Sequence, residues 1–116
     1  MYIKRVTVAA TTAAGGGATV YSARITGKLL GIVYVKTDFA AGVDFTITTE
    51  ATGETVWTQS DVNASAVKYP RRLVQDTVGV DIAATYDSIY LANDRIKFVI
   101  AAGGDTKSGA FYLLIG

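Results

Sequence analysis

The sequence predicts an all-β fold: one β-sandwich domain over residues 1–116, with about seven or eight antiparallel strands. Three observations lead there. Apolar and polar residues alternate with period two in several short runs. Turn-forming residues separate those runs at short spacing. No stretch keeps helical spacing of apolar residues over as many as about ten positions. A jelly roll is the preferred topology and an immunoglobulin-like sandwich the runner-up; the Cys–Trp–Cys hallmark of antibody domains is absent, but sandwiches without it are common.

The clearest run is Val43 to Gln59. Val43, Phe45 and Ile47 alternate with Asp44, Thr46 and Thr48, which sorts apolar and polar side chains onto opposite faces of a strand. Ala51-Thr52-Gly53-Glu54 supplies a turn, with Gly53 free to take positive φ, and the pattern resumes through Thr55–Gln59. This is an antiparallel hairpin with one core face and one wet face. Trp57 is expected to anchor the core; its other reading is a platform for a sugar or a partner.

The remaining elements follow in chain order. Tyr2–Ala9 reads as a strand with Tyr2, Lys4, Val6 and Val8 on one side and Ile3, Arg5 and Thr7 on the other. Its charges suit an edge position or a partner surface. Thr11–Gly17 is a loop, Ala18–Ile25 a second strand and Thr26-Gly27 a turn. Lys28–Lys36 is apolar on both sides: Leu29, Val33 and Val35 on one, Leu30, Ile32 and Tyr34 on the other. Such a strand needs a second cover, from a loop of the same chain or from another subunit, and Gly31 leaves a gap for a close neighbour. Ser60–Ala84 is irregular. Pro70, inside Lys68-Tyr69-Pro70-Arg71-Arg72, makes this an edge or an extended arm, and 75–81 turns back. Ser88–Leu91, Arg95–Ala102 and Ser108–Ile115 complete the strands, the last two read as a second hairpin.

Composition excludes several kinds of chemistry. The chain has no cysteine and no histidine, so a nucleophile–histidine triad, a cysteine nucleophile and disulfide staples are ruled out. Eleven Lys and Arg against ten Asp and Glu give a net charge of +1, which sets up no long-range field toward nucleic acid or an anionic membrane. No segment reaches the ~20 apolar residues that span a bilayer, and the N-terminal stretch lacks the apolar centre of a signal peptide; the expectation is a soluble intracellular product.

Candidate sites are few. Glu50 and Glu54 flank the hairpin turn and form the one carboxylate pair suited to glycosidic chemistry, but read first as solvated turn residues. Asp81, Asp87 and Asp94 fall in or beside loops without calcium-loop spacing. Gly15-Gly16-Gly17 lacks the lysine and the strand–helix setting of a phosphate loop. Lys68, Arg71 and Arg72 are the one basic cluster, suited to a salt-bridged arm, to docking on an acidic partner, or to plain solvation. No enzyme, metal or cofactor is implied. What remains is interaction, because the outward apolar residues and the seven tyrosines exceed what so small a core requires.

Four stretches, GKLLGIVYVK, AGVDFTITTEATGETVW, KYPRRL and DRIKFVIAAGGDTKSGAFYLLIG, together resemble small virion structural proteins of tailed bacteriophages, among them capsid decoration (cement) proteins built on jelly rolls. The resemblance implies a virion protein made in the host cytoplasm and placed on the capsid exterior. It would bind the major capsid protein. The outward apolar residues add self-association, a dimer being slightly favoured over a trimer because two-fold symmetry is the commonest, and the balanced charge speaks against nucleic acid and membrane. Tyr2, Lys4, Arg5, Tyr69, Arg71 and Arg72 are the expected capsid contacts, and Leu30, Ile32, Tyr34, Tyr112 and Leu114 the expected oligomer interface. The alternative is a receptor- or carbohydrate-binding module of a tail or fibre, built on Trp57 or exposed tyrosines.

Overall fold

The computed structural model describes residues 2–116. They form eleven strands in antiparallel sheets and, among the described residues, no helix. Sheet A runs β1 (Lys4–Thr11), β11 (Ser108–Ile115), β3 (Ile25–Lys36), β6 (Ala66–Lys68), with β9 (Ile89–Asp94) pairing the other half of the long β3. Sheet B runs β2 (Ala18–Tyr21), β10 (Ile96–Ala101), β4 (Asp44–Thr49), β5 (Thr55–Gln59). A separate two-stranded ribbon joins β7 (Arg72–Gln75) to β8 (Asp81–Asp87).

The two sheets pack face to face. Phe111 and Tyr34 of sheet A meet Phe45 and Phe98 of sheet B, with ring centroids 4.7 Å apart for Phe98–Phe111 and 4.8 Å for Tyr34–Phe45. Ile32, Leu113, Ile47 and Ile96 close the layer around them with no exposed surface. Burial holds the Tyr34 hydroxyl protonated by raising its pKa.

The Val43–Gln59 hairpin lies where the alternation places it, as β4 and β5 joined through 50–54, with Phe45 and Ile47 buried. Strand β1 occupies the edge of sheet A, as its charges suggested. Four readings are corrected. The strand count is higher because β6, β7 and β8 lie in the stretch read as irregular or as a turn back. Residues 26–27 do not turn the chain; β3 runs through them with a register irregularity against β9. Strands β10 and β11 are not a hairpin: β10 pairs β2 and β4, β11 pairs β1 and β3, and loop 102–107 carries the chain from one sheet to the other. Their apolar faces look at each other across the core instead of lying side by side.

The fourth correction concerns the phase of β3. Leu29 pairs with Ile115 and Gly31 with Leu114, so Leu30 is an extra residue in a bulge. One extra residue reverses which face every later side chain takes. Ile32 and Tyr34 therefore join Leu29 in the core, each with 0% of its surface exposed, while Val33 and Val35 turn outward. Ile32 and Tyr34 are thus removed from the expected oligomer interface.

The ribbon stands apart from both layers. Every residue of β8 up to Tyr86 is exposed, and Ala84 adopts φ 57° where the register between the two strands shifts. The molecule measures 47 × 29 × 23 Å with a radius of gyration of 14.7 Å, above the roughly 13 Å expected for a compact chain of this length.

Candidate functional site

The outer faces of the two sheets differ in chemistry. On sheet B, Thr46, Thr48, Thr58, Lys97 and Thr19 point to solvent beside Val99 and Tyr21. On sheet A, the cross-strand rows are Thr7–Tyr112–Val33–Val67 and Ala9–Ala110–Val35. Half-buried Leu114 and exposed Tyr69 extend this apolar surface over Gly31, where a methyl group would lie 3.3 Å from each of their side chains. These rows carry no charge; Arg5, in the neighbouring row opposite Leu114, lies over the Tyr112 ring at 4.9 Å. A loop of the chain itself supplies part of the cover that β3 needed: the 69–71 segment folds back, and Arg71 Nη1 donates to the Leu30 carbonyl at 3.2 Å.

The expected contact residues therefore divide among different places. Tyr2 is 84% exposed ahead of β1. Lys4 and Arg5 border a half-open cleft with Arg24, of about 310 Å³, floored by Val6, Ile25 and Ile115. Tyr69 and Arg71 lie on the outer face of β3, and Arg72 sits at the base of the ribbon with its guanidinium over Tyr90 at 5.1 Å. Leu30 is half-buried at the bulge, and Tyr112 and Leu114 share the outer face with Val33, not with Ile32. Sequence reasoning missed Val33, Val35 and Val67 as surface residues. The alternation of Val33 and Val35 was visible, but nothing in the apolar run marked the bulge that sets its phase, and Val67 lies in the stretch read as irregular.

No family model matches the chain, and comparison with curated proteins finds no match. The surface itself is therefore what speaks about function.

The carboxylates hold structure. Glu50 Oε2 pairs with Arg95 Nη2 at 2.7 Å, and the more distant Glu54–Arg72 pair spans 3.9 Å. Asp94 is buried and accepts from the Ala51 and Arg95 amides at 3.1 and 2.7 Å. Asp87 receives the Tyr90 hydroxyl and the Ser88 amide, and Asp81 accepts from Gln75 Nε2 at 3.0 Å. Among the described residues, no three acidic groups gather within range of one metal ion. Trp57 is buried, with Nε1 donating to Gln59 Oε1 at 3.0 Å and the Lys68 ammonium 5.7 Å from its ring, so it offers no open platform.

The Glu50–Arg95 pair sets a pH dependence. The hydrogen bond from Arg95 holds the Glu50 carboxyl below its ordinary value of 4.5, with Arg95 and Arg24 adding favourable charge against partial desolvation and Asp94. A carboxyl that is more acidic when folded stabilises the fold above its unfolded pKa, and that contribution is lost as pH falls through the lowered value. Denaturant unfolding measured from neutral pH into acid is expected to show stability falling below about pH 4.5. Glu50→Gln is expected to be less stable than the parent at neutral pH, with the two curves converging in acid.

Proposed function

We propose that this chain is a non-enzymatic structural subunit of a bacteriophage virion, a decoration protein that lies on the outside of the head and bridges major capsid subunits. One observation carries the assembling role: the middle of the outer face of sheet A, the rows from Thr7 to Val67 and from Ala9 to Val35, is apolar and uncharged, with Arg5, Lys28 and Arg71 around it, while the equivalent face of sheet B is threonine-rich and wet. A sheet face open to water has no reason to collect Val33, Val35, Val67, Tyr112 and Leu114, whereas an interface core favours apolar and aromatic residues with few charges. The resemblance of the sequence to phage virion proteins supports the location. On this reading the sheet A face seats on the shell, and Tyr69 and Tyr112 supply aromatic contacts with hydroxyls free to meet a wet rim.

The test is co-sedimentation of the purified protein with heads that lack it, followed by electron cryo-microscopy. Ordered density at symmetry positions with sheet A against the shell is the expected result, and Val33→Asp, a charge placed in that face, is expected to abolish binding while the protein stays folded. Absence of binding to heads would overturn the shell role and turn attention to tail and fibre partners.

A further inference from the structure

Charge is distributed unevenly along the chain. Residues 1–37 contain Lys4, Arg5, Arg24, Lys28 and Lys36 and no carboxylate. Strand β1 and the β2–β3 connection bring the first three together at the rim of the cleft floored by Val6, Ile25 and Ile115. Among the described residues, the ion pairs are Glu50–Arg95 and Glu54–Arg72, so these three cations have no carboxylate within pairing distance. Arg24 Nη1 donates to the Asn93 carbonyl at 3.1 Å, and Arg5 rests on Tyr112. The cleft is thus an apolar recess with cations on its edge.

The ribbon carries the opposite set. From Leu73 to Tyr86 it holds Asp76 and Asp81 and no cation. Asp76 Oδ1 accepts from the Val78 and Val80 amides at 2.9 and 3.0 Å, which fixes the shape of the turn without neutralising its charge. Val78 and Val80 lie between the two carboxylates with 80% and 58% of their surfaces exposed. An isolated two-stranded ribbon is marginal in water, and one that shows its valines at the tip gains most from burying them.

We propose that the 75–81 turn of one copy docks into the Lys4–Arg5–Arg24 cleft of a second copy. Asp76 and Asp81 would face the rim cations, and Val78 and Val80 the Val6–Ile25–Ile115 floor. The occupant is a second copy because this one chain carries both halves of the complementary pair. Complementary charges steer such an encounter and fix its register, while the apolar tip supplies area removed from water. The arm and the cleft are different surfaces, so a mutual exchange closes a two-fold dimer, whereas a one-way contact propagates. The inference rests on the reading of this protein as an assembling subunit but not on the capsid. A protein that self-associates without binding heads would sink the shell role alone, and one that binds heads as a monomer would sink this contact alone.

The experiment is sedimentation equilibrium of the full chain over a concentration series at low and high ionic strength. Self-association that weakens with salt is expected. Asp81→Arg in the arm and Arg24→Glu in the cleft are each expected to weaken it about tenfold or more, and the two together in one chain to restore it. Lys4→Glu, at an exposed edge position, repeats the cleft test without touching the Arg24 hydrogen bond. Mixing the arm variant with the cleft variant gives a further reading, because an intact arm on one meets an intact cleft on the other. Circular dichroism confirms that each variant is folded. A monomer at every concentration, association indifferent to both single substitutions, or failure of the double exchange to restore it would each overturn the proposal.

Discussion

Phe111→Ala is expected to lower the unfolding free energy by about 3–5 kcal/mol, a large share of the 5–15 kcal/mol typical of a domain. Phe111 belongs to the central strand of sheet A and bridges both layers, with ring centroids 5.3 Å from Tyr34, 5.1 Å from Phe45 and 4.7 Å from Phe98. Truncation removes the ring and leaves a cavity that the paired strands on either side cannot collapse. At roughly 4 °C per kcal/mol for a chain of this size, the thermal midpoint should fall by on the order of 10–20 °C. Thr58→Ala on the wet face of sheet B is the control, expected to stay within about 0.5 kcal/mol. A comparable loss at both positions would contradict this placement of the core.

The second large effect arises where a strand gives up its side chain to an aromatic ring. Gly109 faces inward on β11, and a methyl group built there would collide with the edge of the Phe39 ring, which is 1% exposed. Gly109→Val therefore forces either the ring or the strand to move, at an expected cost of about 1–3 kcal/mol or more. Phe39→Ala alone should cost about 3–5 kcal/mol through the space it vacates. In the double variant the valine enters part of that space, so the combined loss should be smaller than the sum of the single losses. Denaturant unfolding of the four proteins measures the coupling; simple additivity would show that the ring does not sit on Gly109.

These two sites mark what the sequence discloses and what it conceals. Phe45 with Ile47 and Ile96 with Phe98 alternate without interruption, and their inward faces were legible because Asp44, Thr46, Thr48, Arg95 and Lys97 mark the opposite side; Phe111 with Leu113 also alternates, but against Ala110, Tyr112 and Leu114. Lys28–Lys36 carries apolar residues on both faces, so alternation alone gives no phase, and the bulge at Leu30 decides which set is buried. The outer face of sheet A was hidden by that ambiguity. Strand partners were hidden for another reason. Arg95–Ala102 and Ser108–Ile115 look like a hairpin because they are neighbours in sequence, but each finds its partners far along the chain. Strand β8 was missed because Asp81–Tyr86 buries nothing, and burial is what writes a period into a sequence.

The position of β11 between β1 and β3 also governs timing. Lys4–Thr11 and Ile25–Lys36 come early in the chain, yet the strand that joins them is the eleventh. Until Ser108–Ile115 arrives, each of the two has an unsatisfied backbone edge beside apolar side chains. Pairings of such long sequence separation form slowly, and a waiting edge is a template for the wrong neighbour. This protein should therefore be most vulnerable while it is being made, when sheet A lacks its middle strand, and cooler synthesis that slows misassociation should raise the yield of soluble chain.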